Sequence, residues 1–261
     1  MNHDWDNIKN WSLARGNSLT TGYTIITLDA IGSTNEYLKQ LWRDEKAQHG
    51  CLVIADTQTA GKGRLGRTWE SPTGAGLWMS LLIKPSLPPD KHFAYSFAAA
   101  VAVAEAIEQT TRLRPELKWP NDVLLCQKKC CGILLESVTT GSEPWIIVGI
   151  GINVTQESFP DALSDTAISL QQAHAAPVHR LQLLQNLIPA LQSNFSSDSR
   201  EILIKWQSYC RMFGAMVSVF QQDSVMEAKA VGLAPDGGLV VENEGKRIKV
   251  YAADVKIRLK N

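Results

Sequence analysis

Residues 58–69, Gln58 to Trp69, read QTAGKGRLGRTW and interleave three glycines (Gly61, Gly63, Gly66) with three cations (Lys62, Arg64, Arg67). Glycine lets a backbone approach a ligand closely. Lysine and arginine neutralise carboxylate and phosphate oxygens, arginine in a fixed fork. A loop that carries both is suited to an anion. Further charges fall in KWPND (118–122), as Lys118 and Asp122, and in QKK (127–129), as Lys129. Lys118 and Asp122 flank Trp119 and Pro120, which implies partial burial, where a charge needs a partner. Cations on loops, with no acid–base pair beside them, suit the meeting of two anions, such as a carboxylate attacking the α-phosphate of ATP. Two like charges about 4 Å apart repel by about 4 kcal/mol at an effective dielectric of ~20, and two or three positioned cations cancel that repulsion. Magnesium would assist while keeping few protein ligands. Asp122 is the acidic side chain placed to bind it or to orient a lysine.

Other chemistries find less support. The five histidines (His3, His49, His92, His174, His179) build no Ser-His-Asp set, and neither HExxH nor a CxxC pair occurs. The glycine spacing matches the dinucleotide fingerprint, the mark of an NAD-binding oxidoreductase. That fingerprint needs a helix opening directly behind it. Here ESPTGAG (70–76) follows, then an apolar run, so the loop is expected to join two strands. The five cysteines (Cys51, Cys126, Cys130, Cys131, Cys210) match no disulfide or zinc spacing and read as reduced thiols filling gaps.

The elements that must position these residues follow from periodicity and turn chemistry. Residues 23–28 read as a strand. Ser33 or Thr34 is placed to cap a helix bearing Leu38, Leu41 and Trp42, with Glu36 in its first turn. Residues 51–56 and 76–85 read as strands, and 90–113 as a long alanine-rich core helix. Residues 116–138 read as strand, turn, strand, hairpin tip at QKK, and returning strand. The apolar run 145–154 reads as a strand buried on both faces, and its Gly149 and Gly151 imply close approach of a backbone or ligand. Asn153 ends that strand. Residues 155–178 look irregular. Residues 179–195 and 199–210 read as covering helices, with a kink or break at Pro189. Beyond Met212, short strands separated by tight turns predict a small closed β-barrel. The expected division is an N-terminal arm (1–20), a catalytic domain (21–211) and a small barrel (212–261).

The 261 residues suit one large domain with an appendage. Lys+Arg and Asp+Glu are both 26, a balance that argues against a dedicated nucleic-acid binder. No run reaches the ~18 apolar residues of a membrane span, and residues 1–11 lack a signal-peptide core, so a cytoplasmic protein is expected.

Taken together, Ser33-Thr34-Asn35, Gln58 with GKGRLGRTW, KWPND, KKCCGILLE (128–136) and GIGIN (149–153), in that order, resemble the biotin protein ligases, the form without an N-terminal DNA-binding domain. The resemblance runs from about residue 23 to 154 and extends to the terminal barrel. It implies an α+β fold of class II synthetase-like type, with a mixed sheet flanked by helices and a C-terminal SH3-like barrel. It implies that biotin and MgATP give biotinyl-5′-AMP, and that a lysine of the biotin carboxyl carrier protein of acetyl-CoA carboxylase then takes the biotinyl group. Carried over, Ser33, Thr34, Asn35 and Gln58 would contact biotin. Lys62, Gly63 and Arg64 would enclose biotin and the acyl-phosphate, Lys129 would stand at their junction, and Gly132 would present backbone to biotin. Arg67, Trp69 and Asn153 would serve the nucleotide, Trp69 by covering the adenine. Lys118 and Asp122 would support phosphate and magnesium. The family often has arginine at the Lys62 position and a small apolar pair where Cys130-Cys131 stand. It allows monomers and homodimers, and operator binding is not expected here. Three other readings are weighed: a non-catalytic biotin- or nucleotide-binding module, a lipoate ligase of the same fold, and the oxidoreductase. Without ligand, the loop of glycines and like charges is expected to be mobile.

Overall fold

A computed structural model describes residues 3–15, 23–140, 143–221, 224–251 and 256–259. The order is α1 (His3–Arg15), β1 (Thr24–Ile31), α2 (Thr34–Arg43), β2 (Cys51–Gln58), β3 (Gly76–Ile83), α3 (Phe93–Thr111), β4 (Glu116–Lys118), β5 (Asp122–Leu125), β6 (Lys128–Thr140) and β7 (Glu143–Asn153). Four helices follow, α4 (Asp161–Ser164), α5 (Leu170–His174), α6 (Arg180–Phe195) and α7 (Ser199–Tyr209). The chain ends in β8 (Met216–Gln221), β9 (Ser224–Leu233), β10 (Leu239–Asn243), β11 (Lys246–Val250) and β12 (Lys256–Leu259).

Strands β1 to β7 form one mixed sheet in the order β1-β2-β3-β7-β6-β5-β4. Only β1 and β2 run parallel, joined by α2 as the crossover; the other pairs are antiparallel. The strands are apolar on both faces because both are covered. On β7, Ile146, Val148, Ile150 and Ile152 enter the larger core with α3, α6 and α7. The alternate residue Ile147 meets Leu38 of α2 with Val53 and Leu82 in a smaller cluster on the other face. Helix α3 lies close to the sheet because its buried residues are mostly alanine and valine. Deleting a buried branch from the same core, as in Leu52→Ala on β2, costs about 2–5 kcal/mol.

Strands β8 to β12 form a second, antiparallel sheet in the order β11-β10-β9-β8-β12, the small all-β unit expected at the C-terminus. Its Val217, Ala228, Leu239 and Val241 share the larger core with Trp206 and Met212. No helix among the described residues is long and apolar enough to cross a membrane.

Within the N-terminal arm, residues 3–15 form a helix that buries Trp5 and Ile8, and the Asp4 carboxylate accepts from the buried Arg180 at 3.0 Å. Several other expectations change in detail. Residues 155–178 are not irregular throughout. They hold α4 and α5, the latter started by a Ser169–Gln172 capping box that its short apolar content had hidden. Helix α6 continues through Pro189. Lys129 lies on β6 rather than at the hairpin tip, which falls at Cys126 and Gln127, both with positive φ. Ser33 stands at the N-cap of α2, but its side chain makes no cap hydrogen bond.

Candidate active site

The site begins as a strip of sheet whose middle positions, Gly132, Gly149 and Gly151, carry no side chain. Across the strands, Trp78 pairs with Gly151, Gly151 with Gly132, Gly132 with Asp122, and Asp122 with Lys118. Two residues along, Ser80 pairs with Gly149. The period of two keeps all of these on one face. What fills the strip is side chain, where a backbone or ligand was expected. A Cβ on Gly151 would stand 2.5 Å from Trp69 Nε1, and one on Gly132 would stand 3.0 Å from the same ring and 3.1 Å from Lys129 Nζ. A Cβ on Gly149 would collide with the Asn35 amide. The indole of Trp69 thus lies over the paired glycines Gly132 and Gly151, with the Lys129 ammonium 5.0 Å from its ring centre. Its buried N–H has no acceptor among the described residues.

A polar wall rises at one end of the strip. Ser33, Thr34 and Asn35 are buried where α2 begins. Thr34 donates its N–H (2.8 Å) and its hydroxyl (3.0 Å) to Gln58 Oε1, and Gln58 Nε2 donates to Ser71 Oγ at 2.9 Å. Ser80 Oγ lies 2.7 Å from Thr34 Oγ1 and within hydrogen-bond reach of Asn35 Oδ1; its one hydrogen serves one of them at a time. Asn35 Nδ2 donates to Glu136 at 2.6 Å, and Lys39 donates to Glu136 at 2.7 Å and to Glu36 at 2.8 Å. Glu36 also takes Lys62 Nζ, at 2.8 Å. The hydrogen bonds from Lys39 and Lys62 hold the Glu36 carboxyl at about 2, against the usual 4.5.

At the other end stand the remaining charges. Lys129 Nζ lies 2.6 Å from Asp122 Oδ1, which supplies the partner expected for Asp122. Arg64 donates to Asn121 Oδ1 at 3.2 Å, and Asn121 Nδ2 donates to the Ile133 carbonyl at 2.6 Å. Burial pulls the Arg64 guanidinium below its usual range, while the Asp122 charge acts the other way. The cation loop is tied rather than splayed: Gly63 N–H reaches Arg67 O at 2.7 Å, Trp69 N–H reaches Gly61 O at 2.9 Å, and Lys62 bridges Thr68. Arg67 is exposed beside Arg64. Leu65, at φ 56°, is exposed at the loop's tip.

The structure therefore brings Ser33, Thr34, Asn35 and Gln58 together, and separately Arg64, Trp69, Asp122, Lys129 and Gly132. Lys118 joins the second group by register with Asp122. Lys62 turns toward Glu36. Asn153 is engaged elsewhere: its amide contacts the carbonyls of Lys129 (3.5 Å) and Ile168 (3.4 Å) and accepts from Gln156 (3.1 Å). It tacks residues 166–168 beside Lys129, whose backbone bonds to Thr166 and Ile168. Four participants were not singled out from the sequence. Ser80 carried a signal, as the polar break in an apolar strand. Asn121 was read as a turn, Glu36 as a helix-dipole acid, and Glu136 only as the end of a motif. No group of three His, Cys, Asp or Glu able to hold a metal occurs among the described residues.

Comparison with known proteins follows the same outline. The profile of the Biotin/lipoate A/B protein ligase family matches residues 28–153. The bifunctional ligase/repressor of Bacillus subtilis is 36% identical over 244 residues, covering 90% of this chain and 74% of that one. The chain belongs to the biotin protein ligase family. The biotin–[acetyl-CoA-carboxylase] ligase of Mycobacterium tuberculosis is 29% identical over 235 residues, covering 86% of this chain and 85% of its own. A biotin protein ligase from Aquifex aeolicus, solved in complex with biotin and ATP, superposes with a TM-score of 0.80 at 30% identity, over 90% of this chain and 99% of that one. In family terms, the paired glycines and the cation loop above them lie within the matched segment.

Proposed function

We propose that this chain is an ATP-dependent biotin protein ligase that makes biotinyl-5′-AMP and passes the biotinyl group to a lysine of a biotin carboxyl carrier protein. The observation that carries the reading is the convergence of Lys129, Asp122, Arg64 and Trp69 over the glycine strip, next to the polar wall of α2. Ser33, Thr34, Asn35 and Gln58 would hold biotin's ureido group by hydrogen bonds, since that group both donates and accepts. The biotin carboxylate would then point along the strip toward Lys129. Arg64 and Lys129 would offset the repulsion between it and the α-phosphate as they close, and would stabilise the charge that builds up on the phosphate oxygens. Arg67, Trp69 and Asn153 are assigned to the nucleotide side. In the second step the carrier lysine attacks the acyl carbonyl, an amide forms and AMP leaves. Lys118 and Asp122 would support the phosphates.

Magnesium would lower the charge on the nucleotide's phosphates. A cation that keeps most of its water and binds by phosphate with one carboxylate fits a donor set whose one carboxylate is Asp122, at present held by Lys129.

Labelled biotin transferred to a carrier domain, dependent on MgATP, tests the reading. Pyrophosphate release from biotin and ATP alone separates a ligase from a non-catalytic binding module. Lys129→Ala and Arg64→Ala should each lose ~10²–10³ in rate while staying folded; normal turnover by both would overturn the site assignment. Competition by lipoate in adenylation tests the sister activity, which an apolar dithiolane opposite Ser33, Thr34 and Asn35 does not favour. Operator binding is not part of the proposal. Helix α1 has Asp4 and Asp6 in its first turn and buries Trp5 and Ile8, and a specific gel shift with biotinyl-AMP present would contradict this. The reaction is placed in the cytoplasm, where ATP is available.

A further inference from the structure

The segment carrying Asn121 and Asp122 is held from outside its own sheet. Trp119, 2% exposed, donates its indole N–H to the carbonyl of Gly237 at 3.0 Å, and its backbone N–H lies 3.3 Å from Met212 Sδ. Gly237 belongs to the turn between β9 and β10. That turn is closed by Gly237 N–H to Ala234 O (2.9 Å) and Ala234 N–H to Gly238 O (2.8 Å). It is also clamped by Asp236, which takes Lys249 at 2.6 Å and Tyr251 at 2.9 Å. Gly237 has φ +77°, and a Cβ there would strike the Phe93 ring at the start of α3. A cavity of about 650 Å³ is lined by Asp236 and Gly237 of this turn and by Tyr251, Arg64, Arg67 and Asn121.

We propose that the 234–238 turn of the small C-terminal sheet is a positioning element of the active site. Through the Trp119–Gly237 hydrogen bond, it sets where Asn121 holds Arg64 and where Asp122 holds Lys129. The inference deepens the ligase reading and rests on it. Trp119 acts by leverage. Trp119 is two residues from Asn121 and three from Asp122, and each of those holds one cation, Arg64 and Lys129. A buried indole fixed at both its ring and its backbone transmits the place of the turn to both. Trp119 and Gly237 act through those residues and touch no reacting atom.

The test is Trp119→Phe, which keeps a ring and removes the N–H. The expected result is a fall of about tenfold in the rate of pyrophosphate release at saturating biotin and ATP, with the KM for biotin within about twofold, since a sub-ångström error in aim costs turnover first. Hydrogen exchange should quicken at residues 62–67 and 119–122 and stay unchanged in α3. Met212→Leu, which keeps volume and loses the sulfur acceptor, should give a smaller fall in the same direction and covers the case in which Trp119→Phe does not fold. Val241→Ala, in the core of the same small sheet but away from the turn, should lower the melting temperature and leave the rate intact. Equal losses in Val241→Ala and Trp119→Phe would reduce the turn to a merely structural part and overturn the proposal. A wild-type rate in both Trp119→Phe and Met212→Leu would overturn it too. If the unaltered chain releases no pyrophosphate, the ligase reading fails; exchange at 62–67 then still decides whether the turn controls the loop.

Discussion

Replacing Gly151 by alanine should separate stability from catalysis. The new Cβ would stand 2.5 Å from Trp69 Nε1 and 2.7 Å from Cε2. Ordinary contact begins near 3.4 Å, so the indole must withdraw by about 1 Å or the strand must bend. The strand is the centre of the sheet, whereas Trp69 is carried on a loop flanked by the exposed Arg67, Thr68 and Glu70, so the indole gives way. Its retreat relieves most of the ~1–3 kcal/mol that overpacking would cost. Removing a strand-interior glycine returns about 0.5–1 kcal/mol. These nearly cancel, and the melting temperature should stay within ~2–4 °C of the parent. The ring that packs against Lys129 has nevertheless moved by about 1 Å, a displacement that costs on the order of 10²-fold in rate. Pyrophosphate release from biotin and ATP measures this, with calorimetry on the same samples. The same substitution in a Trp69→Ala background should add almost nothing, because the colliding group is gone. An unchanged rate for Gly151→Ala, or an equal further loss in the Trp69→Ala background, would refute the idea that the glycines exist to seat the indole.

Other consequences are as direct. Glu36 has a depressed carboxyl pKa, so what it contributes is complete above about pH 4.5 and disappears as the pH falls toward 2. Loop protection at residues 61–67, corrected for intrinsic exchange, should therefore be flat from pH 8 to 5, and Glu36→Gln should lower it throughout that range; a slope near neutrality would contradict the Lys62–Glu36 contact. Gln58→Ala removes an acceptor shared by two Thr34 donors and should cost ~1–3 kcal/mol of stability and more of biotin affinity, read by denaturant titration and equilibrium binding. Asp56→Asn leaves Arg180, 1% exposed, with one fewer charged partner, and should destabilise by ~3–5 kcal/mol; a loss under 1 kcal/mol in urea would show that Asp4 alone suffices.

Much of this arrangement was legible in the chain. The two glycines in the apolar run of β7 announced a close approach at that strand, and the punctuation around KWPND and the cation loop placed both on turns. What the chain hid were partners far apart in sequence. Glu136 meets Asn35 across 101 residues, and nothing local marks a glutamate inside a strand as its acceptor. Trp119 looked like a buried aromatic, and its acceptor lies 118 residues away in another sheet. Asn121 fitted a turn so well that its second task went unnoticed. Local chemistry predicts conformation, whereas pairing is decided by register and packing, which only the folded chain displays.

Four cations of this site arrive already matched: Lys62 with Glu36, Lys39 with Glu136, Lys129 with Asp122, and Arg64 with the Asn121 amide. An incoming carboxylate or phosphate must therefore evict a resident partner, and binding becomes an exchange instead of a capture. Such a pocket exerts little long-range pull, so its association rate should respond weakly to added salt. It also rejects stray anions, because only a ligand that reaches several of these pairs at once can compensate for breaking them.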